Sequence, residues 1–124
     1  MATISSHVLD SVIGTHAAQI RVQCFARSSN NQHQQIFDVI ASDEGRISET
    51  FTMNDSNKNT DYDVVFHSAA YYKKLQLPDD GIQIVKTIVL RISLSDPEEK
   101  VHLPVMLSPH SYSVWWSGNP PAVS

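Results

Sequence analysis

Cysteine occurs once in the chain, at Cys24, so no disulfide can close within it. Such a chain must rely on an apolar core, and a reducing compartment suits it. Basic residues are outnumbered, with nine Lys and Arg against 13 Asp and Glu and a net charge of −4. No basic stripe is available to neutralise phosphates, which argues against a nucleic-acid partner or an anionic membrane surface. Long apolar runs are also missing: no window approaches the roughly 18 apolar residues of a membrane span. The N-terminal stretch carries His7, Asp10 and His16 and lacks both a basic n-region and an apolar h-region, so no signal peptide is expected. The ending Pro121-Ala122-Val123-Ser124 is not an SKL-type peroxisomal address, and the cytoplasm is the expected location.

What is present fits one folded domain. At 124 residues, 41% hydrophobic and 18% charged, the chain has enough apolar content for one core and too little length for two. Short β-rich runs recur between turn residues. Gln19 to Phe25 alternates polar and apolar, the period-two pattern of a half-buried strand. Gln35 to Ala41 reads as a second strand, followed by a tight turn at Asp43-Glu44-Gly45 in which glycine can supply a positive φ. Arg46 to Met53 alternates again, and Tyr62 to His67 is a further strand. Ser28 to Gln35 and Asn54 to Thr60 are polar loops, and Pro78 to Gly81 is a turn. Ser68 to Leu75 breaks the rhythm. A serine able to cap, two alanines and a lysine pair near the end predict a helix of about two turns. Ile82 to Leu94 is the longest predicted strand, apolar on both faces at its centre and therefore expected inside a sheet. Val101 to Leu107 and Tyr112 to Ser117 complete an all-β sandwich with one short helix.

Chemistry-bearing residues stand out only weakly one by one. In Lys100 to Leu107 the alternation puts Val101, Leu103, Val105 and Leu107 on a core face, leaving His102 on the outer face beside Pro104 and Met106. That mixture suits a surface covered by a partner subunit, although a solvated strand histidine is the plainer reading. His7 lies in the strand-like Ile4 to Asp10, just before a turn at Gly14, and Arg46 opens a strand after the Asp43-Glu44-Gly45 turn.

Taken together they form a pattern. Ser6-His7-Val8-Leu9-Asp10 with Gly14 and Ala17, then Ser42-Asp43-Glu44-Gly45-Arg46, then Tyr62 to Tyr72, then Val101 to Pro109 followed by Tyr112-Ser113, resemble the transthyretin and 5-hydroxyisourate hydrolase family, in the family's order. The resemblance implies a transthyretin-like sandwich of two four-stranded sheets. It also implies a homotetramer with active sites at a dimer–dimer interface, on the outer face of one sheet. It further implies hydrolytic opening of a cyclic amide, 5-hydroxyisourate, with no metal or cofactor, by a catalytic set of His7, Arg46 and His102. Transthyretin, the hormone carrier, lacks that set, so its presence here favours an enzyme. Two imidazoles suit proton transfer near neutral pH, and a guanidinium offers a planar fork of donors to a developing oxyanion. His102 is the preferred base.

The resemblance fails at the tail. Hydrolases of the family end in Tyr-Arg-Gly-Ser, whereas this chain reads Trp115-Trp116-Ser117-Gly118, with an extension from about residue 119. These four residues are the candidate substrate-binding set. The Trp pair is either packing on a terminal strand or a cleft recut for a flatter, more apolar substrate, since only one of two adjacent strand residues can face the cleft. His16 stands where the family usually has proline. The six histidines show no zinc-ligand spacing, so no metal is expected. His33 and His67 read as surface residues, His110 as a turn residue able to approach the cleft, and Cys24 as a small core residue. Three functions fit: a 5-hydroxyisourate hydrolase or hydrolase of a similar cyclic amide, the same His/Arg/His set applied to a more aromatic metabolite in a ring-opening or ring-forming step, and a non-catalytic small-molecule binder like transthyretin.

Overall fold

The computed structural model describes residues 1–28, 32–53, 60–75 and 84–118. Its spine is β1 (Ala2–Asp10), whose burial alternates without interruption. Ala2, Ile4, Ser6, Val8 and Asp10 face the interior, and Thr3, Ser5, His7 and Leu9 face out. One edge of β1 pairs antiparallel with β5 (Arg46–Phe51) and then with β2 (Thr15–His16). The other edge pairs parallel with β8 (Lys100–His102) and β9 (Val105–Leu107). Outside these, β10 (Tyr112–Val114) runs antiparallel to β9, and β11 (Ser117–Gly118) antiparallel to β8.

The seven segments of this sheet therefore lie in four lanes: β5 with β2, β1, β8 with β9, and β10 with β11. The β8–β9 lane is interrupted at Leu103-Pro104, where proline has no N–H to give to a ladder. It is not displaced there. The Leu103 amide still donates to the Ser5 carbonyl at 2.8 Å, the Trp115 amide donates to the Pro104 carbonyl at 3.3 Å, and the pairing offset is the same on both sides of the gap.

The second sheet runs β4 (His33–Ile40), β3 (Arg21–Arg27), β6 (Asp61–Phe66) and β7 (Ile88–Ser93), antiparallel throughout. The inner faces of the two sheets meet in a core that includes Ile4, Val8, Val22, Val64, Phe66, Val105 and Leu107. Each large apolar side chain buried there contributes about 1.5–3 kcal/mol. Cys24 lies in the same core, where burial pushes its thiol up to about 12. The two-sheet sandwich with one short helix is as expected.

Three expectations need correction. The Ile82–Leu94 run supplies only β7, which is an edge strand and not an interior one, with Val89 48% exposed. Its first residues lie outside the described residues, as do the Pro78–Gly81 turn and the extension from 119. The burial of β7 alternates regularly, and of its outward residues only Val89 is apolar. Helix α1 (Ser68–Lys74) is capped at His67 with no side-chain cap bond, and Ser68 is its first helical residue. His67 is half-buried, its Nε2 hydrogen-bonded to Gln23 Oε1 at 2.7 Å. Among the described residues no helix is long and apolar enough to cross a membrane.

Candidate active site

The outer face of the first sheet brings His7, Arg46 and His102 together. Directly opposed residues in paired strands share a face. Arg46 opposes His7 across β5 and β1, and His102 opposes Ser5, two residues from His7 on the same side of β1. Ser117 in turn opposes His102. One line across the sheet therefore reads Ser48, Ser5, His102, Ser117. Carried through the Leu103-Pro104 gap, the constant offset makes the adjacent line Arg46, His7, Pro104, Trp115.

This register divides the tail. Trp115 and Ser117 belong to the face of the histidines, and Trp116 and Gly118 to the opposite one, Gly118 pairing with Val101. Gly118 has a separate constraint: a Cβ there would collide with the Lys100 carbonyl, so β11 can lie this close to β8 only with glycine. Both indoles are exposed. His110 sits in the exposed turn between β9 and β10, beyond the Met106–Ser113 pair and away from His102.

The turn that delivers Arg46 is tightly built. Gly45 has φ +70°, and its carbonyl accepts from the Val8 amide at 2.7 Å. Ser42 Oγ accepts from the Glu44 and Arg46 amides, each at 3.2 Å. Arg46 then leaves the turn exposed, and among the described residues no carboxylate pairs with its guanidinium. An unengaged fork of donors is what an incoming carbonyl or anionic oxygen needs.

Each histidine is held by a neighbour. Ser5 Oγ lies 2.8 Å from His102 Nδ1 and 3.5 Å from the Val101 carbonyl. With the serine proton on that carbonyl, the hydroxyl accepts Nδ1–H and the lone pair of His102 is on Nε2. His7 Nε2 lies 2.9 Å from His16 Nδ1, with ring centroids 5.0 Å apart. The affinity of His7 for a proton is lowered, first by burial, then by the Arg46 charge and by His16, with a smaller contribution from His102. A backbone hydrogen bond at Glu44 acts the other way. Arg46, His16 and His102 reach the His7 ring from three different strands.

Ser5 and His16 are the residues that sequence reasoning missed. Ser5 was accessible, because it stands two residues before His7 on the same strand face. His16 was accessible only through the fold: the Ser11–Gly14 turn, with Gly14 at φ +74°, folds β2 back so that His16 opposes Leu9.

Comparison with known proteins bears on the family and the fold. The chain is 26% identical over 117 residues to 5-hydroxyisourate hydrolase of Pseudomonas aeruginosa, covering 93% of this chain and 90% of that one. Among solved structures, transthyretin from Sparus aurata superposes with a TM-score of 0.76 at 18% identity, covering 94% of this chain and 97% of that one. An (S)-allantoin synthase gives a TM-score of 0.75 at 21% identity over 94% of this chain, which spans only 44% of that protein's length. Both structural likenesses are to the fold. Residues 4–116 match the HIUase/Transthyretin family, and the chain belongs to it.

Proposed function

We propose that the protein is a hydrolase that opens a cyclic amide, with 5-hydroxyisourate as the first substrate to test, using His102, Arg46 and His7 on the outer face of the β5–β1–β8 sheet. The observation that carries this reading is the cofacial placement of an exposed guanidinium and two imidazoles, with His102 Nδ1 anchored on Ser5. The kinship to 5-hydroxyisourate hydrolases supports it.

His102 Nε2 takes a proton from water as the oxygen attacks the amide carbonyl, and Arg46 stabilises the oxyanion. The imidazolium then returns that proton to the departing nitrogen as the C–N bond breaks, the double role one histidine can fill in acyl transfer. His7 lies between these groups; left neutral, it adds no positive charge beside Arg46 and the transient His102 imidazolium. The exposed outer face supports a homotetramer in which a second dimer covers the site.

Mixing the protein with freshly generated 5-hydroxyisourate and following its absorbance tests this directly. Decay faster than the spontaneous rate is expected, and His102→Ala is expected to lose about 10²-fold or more of it. Decay at the spontaneous rate would falsify the substrate assignment, and an undiminished rate in His102→Ala would remove His102 from the chemistry.

A second reading is favoured by Trp115. Its indole stands in the line of Arg46 and His7, where a flat apolar face suits a more aromatic ring than 5-hydroxyisourate. A panel of bicyclic and aryl-substituted cyclic amides, compared in native protein and Trp115→Arg, tests it. Native preference for the aryl compounds, reduced in the variant, supports this reading; equal preference in both proteins rejects it.

A further inference from the structure

One His7 ring nitrogen is held by a hydrogen bond. Nε2 faces His16 Nδ1 at 2.9 Å, a full-strength hydrogen bond by distance, and both rings are half-buried. The Glu44 backbone also favours the protonated ring. A backbone group that does this is a carbonyl, and a carbonyl only accepts. With Nε2 turned to His16, the nitrogen left for Glu44 is Nδ1. A neutral His7 therefore carries its proton on Nδ1 and its lone pair on Nε2. The proton in the bond to His16 must then come from His16 Nδ1.

We propose that His16 is a positioning residue of the site, whose Nδ1–H fixes the His7 ring in its neutral, Nδ1-protonated form. The arrangement also limits charge. Were both rings fully protonated, two N–H groups would face each other across the same gap, so the bond survives only while the pair carries at most one extra proton. The charged and titratable groups around His7 come from three neighbouring strands: Arg46 from β5, His16 from β2 and His102 from β8. Apart from the Glu44 backbone, every one of them disfavours a positive charge on His7. By keeping His7 neutral, His16 lowers the repulsion that His102 meets when it takes a proton next door. This consequence for turnover rests on the hydrolase reading above; the tautomer and its origin do not.

The test uses the full chain labelled with 15N and followed through ring-nitrogen NMR between about pH 5 and pH 8. In the native protein His7 should show the Nδ1-protonated tautomer and titrate below its ordinary value. His16→Asn can donate from nearly the same place without carrying charge. It should keep the His7 tautomer while moving the His7 titration to higher pH, towards the ordinary value. His16→Ala should shift the titration likewise and lose the tautomer.

On 5-hydroxyisourate, His16→Ala should lower kcat/KM about tenfold, the worth of one hydrogen bond, with Asn restoring most of it. The acid limb of the pH–rate profile should move up in both variants. A His7 tautomer and titration unchanged in His16→Ala would overturn the proposal. So would an altered tautomer with an unaltered pH–rate profile, since that leaves His16 a purely structural partner. If the native protein does not accelerate 5-hydroxyisourate decay at all, the hydrolase reading fails, and the NMR result still decides the role of His16.

Discussion

Ser5 carries the simplest chemistry in the site: its single hydroxyl proton decides which nitrogen of His102 is basic. It lies 2.8 Å from His102 Nδ1 and 3.5 Å from the Val101 carbonyl, so it can hold Nδ1–H while its own proton points away. Removing the hydroxyl frees the ring to adopt the wrong tautomer or to turn. Ser5→Ala should therefore reduce kcat/KM for 5-hydroxyisourate by about tenfold, since one partly buried hydrogen bond is worth on the order of 1 kcal/mol. A steady-state comparison with native enzyme checks this, and equal kcat/KM values would show that His102 needs no anchor. At this scale the sequence was informative about residue type and poor about partners. His102 was placed on the outer face by alternation alone, and the register puts it there. The Ser5–His102 and His7–His16 contacts depend on strand offsets that no local pattern encodes.

Elements position these side chains, and the Ser42–Arg46 turn is the most constrained of them. Gly45 sits at φ +70°, and a Cβ there would run into the Val8 carbonyl and crowd Ala17 N at 3.2 Å. Gly45→Ala thus combines backbone strain with a clash against immobile backbone. It should cost about 2–3 kcal/mol in urea unfolding and displace Arg46 as well, lowering turnover. A urea midpoint equal to that of the native protein would contradict the packing described. This turn, the β1 alternation and α1 were all legible, because turn chemistry and periodicity are local. The β7 edge was not legible. An apolar run reads the same whether its outer face meets a neighbouring strand, a partner chain or water. Equally hidden was the buried Asp10, which accepts from Tyr71 Oη at 2.8 Å, Tyr72 Oη at 3.0 Å and the Val12 amide at 2.9 Å. These bonds tie the end of β1 to α1 across the sandwich. Burial and the bonds to Asp10 both hold the two phenols protonated.

At the scale of the whole molecule the histidines make folding depend on pH. His7 is lowered from its ordinary 6.5 chiefly by burial and then by Arg46, and His67 chiefly by burial and then by Arg21. The unfolded chain therefore binds protons more readily than the folded one between the folded and unfolded values. Stability is full above about pH 6.5 and falls as pH drops through the lowered folded values. Urea midpoints measured at about pH 7.5 and 5.5 should show the decline, before the carboxylates of Asp38 and Asp63 begin to lose their arginine partners at lower pH. A flat midpoint over that interval would mean that neither ring is held neutral by the fold. The assembly is testable by light scattering: a tetramer is expected, and a monomer would argue against a site completed between subunits. The fold, and the shared outward face of His7, Arg46 and His102, were legible because the family order of motifs spans the chain. What covers that face was not, since the tail departs from the family where Trp115 and Trp116 stand. The unbroken offset across the Leu103-Pro104 gap bears on how such a protein can diverge. Point changes at position 115 alter the wall beside the histidines one side chain at a time. Loss of a single codon between Ser113 and Ser117 would instead turn the strand over, trading Trp115 for Trp116 on the face of the histidines. In this stretch a substitution keeps the register and a change of length does not, so substitution is the gentler route to a new wall.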